Sequence, residues 1–131
     1  MTRKRLQLAT AVLAAIPLVT GVLGLMGVQD PLYAAMHLPN EPMLDSNMRF
    51  FGGVWLALGI AVLWLIPNIE RQTELFRAVW GMVFRGGVVR LLSLSVVGWP
   101  PFPVVAVTLL ELMGAPLFVA WHMRVARAAA V

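Results

Sequence analysis

In residues 78–123, AVWGMVFRGGVVRLLSLSVVGWPPFPVVAVTLLELMGAPLFVAWHM, two apolar arms flank the turn Gly98-Trp99-Pro100-Pro101-Phe102-Pro103. Proline lacks the donor a helix interior needs, and its ring crowds the preceding turn. The cluster therefore separates two segments, each near the ~20 residues that a helix uses to cross hydrocarbon. Charge stands inside both arms, with Arg85 and Arg90 before the turn and Glu111 after it. Arg90 lies ten positions before Pro100 and Glu111 ten after Pro101. On antiparallel helices the two fall at one depth, and the expectation is an ion pair inside a membrane.

The composition agrees with a membrane chain. Of 131 residues, 60 % are apolar and 12 % charged, against about 25 % charged in an ordinary soluble domain. The formal charge of +4 gathers toward the two ends, without the basic stripe interleaved with aromatics that a nucleic-acid surface shows. Cysteine is absent, which removes disulfides, thiol catalysis and thiolate metal sites. His37 and His122 have no second ligand at metal spacing, so we expect interfacial polar histidines, no metal and no cofactor.

Working outward, residues 6–28 carry no charge and exceed a signal-peptide core. They read as an uncleaved first helix with Pro17 as a kink and Gly21, Gly24 and Gly27 as a smooth strip for close approach. Asp30-Pro31 opens a short surface helix over 32–38. A second helix, 46–66, starts at a cap on Asp45 or Ser46 and carries the small-residue row Gly53, Ala57, Ala61. The third and fourth span 78–97 and 104–123, with a kink at Gly114-Ala115-Pro116. The fold class is thus an all-α membrane protein, one domain of four transmembrane helices in an antiparallel bundle.

Arg3, Lys4, Arg5, Arg71, Arg77, Arg124 and Arg127 all fall on one side of such a bundle, while the other side has Arg49 alone near the interface. By the positive-inside rule both termini are cytoplasmic, in a multi-pass protein of a bacterial inner membrane. Trp80 and Trp121 fall near the inner boundary, Tyr33 and Trp99 near the outer, as an aromatic belt requires.

A charge at mid-membrane opposes insertion by about 2.5–3.5 kcal/mol, whereas each Leu, Val or Phe returns only ~0.3–0.6. Arg85 and Arg90 therefore leave the third helix dependent on its neighbours, and Glu111 is the acid placed to help. Gly86, Arg90 and Ser93 share a face, with Gly87 beside them. One reading is a charge pair that locks the hairpin while Arg85 snorkels toward water. The other starts from the charge imbalance. Two arginines against one glutamate leave a place for an anionic head, carboxylate or phosphate, on a lipid-like molecule. Arg49, Arg85, Arg90 and Glu111 are the candidate ligand-binding residues.

Asn47-Met48-Arg49-Phe50-Phe51-Gly52-Gly53, Gly59, Gly86-Gly87-Val88-Val89-Arg90-Leu91-Leu92-Ser93, Gly98 with its prolines, and Leu110-Glu111-Leu112 follow one another in an order and spacing that resembles a small bacterial membrane family. That family is known as domain of unknown function 4345. The resemblance implies a four-helix membrane protein and picks out Arg49, Gly53, Arg90 and Glu111. Arg85 departs from its pattern, and the family brings no activity. Three functions stay open. The chain binds or moves a lipid-like anion at an intramembrane Arg–Glu site; or it is an accessory subunit packing against a membrane partner or a second copy of itself; or it is an embedded isomerase with Glu111 as proton donor.

Overall fold

The computed structural model describes residues 2–129, and every regular element among them is helical. Five α-helices run in order: α1 Arg3–Gly24, α2 Pro42–Leu65, α3 Thr73–Val97, α4 Phe102–Leu109 and α5 Ala115–Ala129. A π turn, Leu110–Gly114, joins the last two. Four stretches, Arg3–Gly24, Pro42–Asn68, Thr73–Val97 and Phe102–Ala129, are long and apolar enough to cross a membrane. The chain divides into two compact units, Gln7–Ile66 and Met1–Leu6 with Pro67–Val131.

Within Gln7–Ile66, α1 and α2 meet backbone to backbone. A Cβ on Gly21 would lie 2.6 Å from the Leu56 nitrogen, and one on Gly24 would lie 2.8 Å from the Gly52 Cα. Gly59 meets Leu18 in the same way. The small face of α2 is therefore Gly52 and Gly59, which corrects the expected row Gly53, Ala57, Ala61; Ala57 is exposed. Pro17 leaves a gap in the α1 ladder, and three residues on a side-chain relay begins. The Trp55 indole donates to the Thr20 hydroxyl at 2.8 Å, which donates to the Ile16 carbonyl at 2.7 Å.

The first helix ends at Gly24, short of 28, because Gly27 turns the chain with φ +63°, a conformation that side chains resist. Asp30 caps the next turn as expected, accepting from the Leu32 N–H at 2.9 Å, and the turn is a 3₁₀-helix, Pro31–Met36. Helix α2 starts four residues before the expected 46. Glu41 caps it, accepting from the Leu44 N–H at 2.8 Å, with Pro42 at the first position. Asp45 is free for another task.

In the other unit, α3 starts at Thr73, five residues before 78, with Glu74 in its first turn where the helix dipole favours an acid. Gly98, at φ +114°, ends it. The return arm runs past the expected 104–123 at both ends, from Phe102 to Ala129. Phe76 stacks on His122, Trp80 packs on Phe118, and Gly87 abuts Glu111. Each step forward along α3 is matched by an equal step back, so the hairpin is antiparallel. Trp80 is packed inside it, 6 % exposed, and His122, expected as an interfacial polar residue, is wholly buried.

Candidate functional site

Gly87 lets the return arm come close, since a Cβ there would sit 2.9 Å from the Cβ of Glu111 and from Leu112. Helical side chains lean toward the N-terminus of their own helix. On antiparallel arms Arg90 therefore leans back to the level of Gly87, and Glu111 leans toward Arg90. They meet with Arg90 Nε donating to Glu111 Oε2 at 3.0 Å. The neighbour on this face is Gly87 and not Gly86, beside which there is open space.

The pair is lopsided. The Glu111 side chain is 7 % exposed and the Arg90 side chain 44 %. A guanidinium offers five N–H donors, and among the described residues Arg90 commits one, its Nε–H. Beside it opens a cleft of about 220 Å³, lined by Arg90, Ser93 and Leu94, by Trp99 and Pro100 of the turn, and by Val104 and Thr108 of α4. Thr108 already donates to the Val104 carbonyl at 2.9 Å. Arg90 is the one charged group among the lining residues.

The other expected residues stand differently. Arg85 is exposed, and among the described residues it makes no ion pair or side-chain hydrogen bond. Arg49 belongs to the unit Gln7–Ile66 and is heavily committed there. Its Nε donates to Asp45 Oδ2 at 2.6 Å, one terminal nitrogen to Asp45 Oδ1 at 3.2 Å, and the other to the Leu25 carbonyl at 2.6 Å. Asp45 Oδ1 also accepts from the Val28 N–H at 3.0 Å. These bonds clasp the end of α1 to the start of α2, around a Gly27 whose Cβ would overlap Asp45. The i, i+4 spacing of Asp45 and Arg49 is the signal for this pairing.

Two features have weaker traces in the sequence. Glu111 sits inside a π turn, a rare geometry that is frequent at functional sites, where the sequence suggests only a kink three residues later. His122 donates from Nε2 to the Ile69 carbonyl at 2.6 Å, with no partner for Nδ1. Its acceptor is a backbone group 53 residues away, which leaves no mark in local spacing. Among the described residues no three or more His, Asp or Glu gather to hold a metal.

Neither the curated proteins nor the solved structures give a significant match. A family model described as "Domain of unknown function (DUF4345)" matches residues 5–122, a range that holds the glycine-packed helices, Arg90 and Glu111. The chain belongs to the DUF4345 family.

Proposed function

We infer that this is a multi-pass protein of a bacterial inner membrane, with both termini cytoplasmic, that binds an anionic amphiphile at Arg90. The observation that carries the reading is the half-open guanidinium. Glu111 holds it by one bond, while Arg90 also lines a cleft with no acid among its lining residues. A charged guanidinium with spare donors in a low-dielectric setting favours an anion able to take two parallel bonds. The cleft has room for a head group and not for a whole lipid. A tail would run along the exposed apolar faces that Val96, Val97 and Phe102 present nearby. Arg49 has its own clasp, and Arg85 is exposed and makes no bond in the site. An intramembrane ionisable group is a functional candidate by default.

The test compares a long-chain alkyl sulfonate with methanesulfonate, for wild-type protein and Arg90→Gln in phosphatidylcholine nanodiscs. Wild type should bind the long-chain probe saturably above empty discs, and Arg90→Gln should bind it about 10- to 100-fold more weakly, the worth of a charged hydrogen bond. Equal binding by the two proteins refutes the site. Equal binding of methanesulfonate refutes the amphiphile and leaves a free anion as the ligand.

A further inference from the structure

We propose that anion binding at Arg90 is coupled to uptake of one proton by Glu111, so that the site takes its ligand together with a proton. This rests on the anion reading above and adds its regulation. As it stands the site is neutral, one guanidinium on one carboxylate at 3.0 Å. A ligand on the open side of Arg90 puts a second anion on the same guanidinium. Two anions sharing one cation cannot both stay ionised cheaply when one of them is screened from water, and the Glu111 side chain is 7 % exposed.

Among the described residues no other cation stands ready to balance the charge. The π turn that carries Glu111 packs against α3, α4 and α5. From α3 come Arg90, already engaged, and Arg85, which is exposed and bonds to nothing in the site. Helix α4 has no titratable residue. From α5 come His122, three turns along and tied to the Ile69 carbonyl, and Arg124 and Arg127 beyond it. The cleft adds neither Lys nor His. A proton is the positive charge left, and Glu111 is the base placed to receive it. Once protonated, Glu111 still accepts the Arg90 bond through its carbonyl oxygen, so the guanidinium keeps its aim. Ligand and proton each favour the other's binding by one and the same factor.

The experiment is a titration of the long-chain alkyl sulfonate across the neutral range in the same nanodiscs. The sulfonate keeps its single charge throughout, so any pH dependence belongs to the protein. With one proton taken up, the apparent Kd rises about tenfold for each pH unit. In weakly buffered medium the wild type alone should draw one proton from solution per probe bound. Glu111→Gln, neutral at every pH, should bind more tightly than wild type at alkaline pH with a flat profile. Saturable, Arg90-dependent binding that ignores pH and moves no proton overturns the coupling and leaves the anion site standing. A sloping profile in Glu111→Gln also overturns it, since the proton then goes elsewhere. Wild-type binding that is absent, or unchanged in Arg90→Gln, fails the site itself.

Discussion

Gly86 and Gly87 are neighbours in sequence and opposites in environment. Gly87 is buried, and a Cβ there meets Glu111 and Leu112 at 2.9 Å; at Gly86 it meets nothing within 4 Å. Gly87→Ala should therefore lower stability by about 1–3 kcal/mol through overpacking and push Glu111 off Arg90. Gly86→Ala should be neutral or gain up to about 1 kcal/mol from helix propensity. Thermal unfolding of the two variants in mild detergent decides it, and a larger loss at 86 would mean the hairpin packs on the wrong face. Spacing alone could not separate them. Both lie within one turn of Arg90, and a difference of one residue is only 100° of helix rotation. The partner supplies the choice, and the partner is a long-range contact. Arg90 and Glu111 were legible for the opposite reason. Charge in an apolar arm is conspicuous, and equal distances from a proline turn give depth directly.

Among the elements, the break in the return arm shows what local sequence specifies and what it leaves to packing. Pro116 has no N–H for the Leu112 carbonyl, and its ring crowds that carbonyl, so a disturbance near 114–116 is legible. Its form as a π turn over Leu110–Gly114 is not, because several distortions relieve the same clash. The form matters, since it sets how Glu111 is turned relative to the face of α5 that carries Phe118 and His122. Pro116→Ala allows the ladder to close into a regular α-helix, and the aim of Glu111 then shifts against that aromatic face. A double-mutant cycle with Arg90→Gln and Glu111→Gln should give a coupling of about 1.5 kcal/mol in the native background. In the Pro116→Ala background it should fall toward zero. An unchanged coupling would show that the turn has no part in aiming Glu111. Helix starts follow a similar logic. Asp30 was readable as a cap because Pro31 follows it, whereas Glu41, also followed by proline, is passed over when the stronger capping residues Asp45 and Ser46 stand close by.

For the molecule as a whole, the number of long apolar helices follows from composition and proline placement, and the four stretches found are those expected. Which faces pack does not follow, because small and apolar residues occur all round these helices. One stretch is set apart. An 18-residue window of Thr73–Val97 has a mean hydropathy of 1.4, against 2.0 to 2.1 for windows of the other three, and the stretch holds both Arg85 and Arg90. With each arginine opposing insertion by about 2.5–3.5 kcal/mol, the segment alone should insert in only a minority of chains in a glycosylation-mapping assay. Arg85→Leu removes that opposition and adds a small favourable contribution, about 3–4 kcal/mol in total, enough to turn the minority into a large majority. Restoring residues 102–129 behind the wild-type segment should also raise insertion, because Glu111 then gives Arg90 a partner within the hairpin. Glu111→Gln in that hairpin should abolish much of the rescue. Efficient insertion of the isolated segment with both arginines present would mean that they reach water unaided. In that case the bond between Arg90 and Glu111 would not be needed to bring α3 into the membrane.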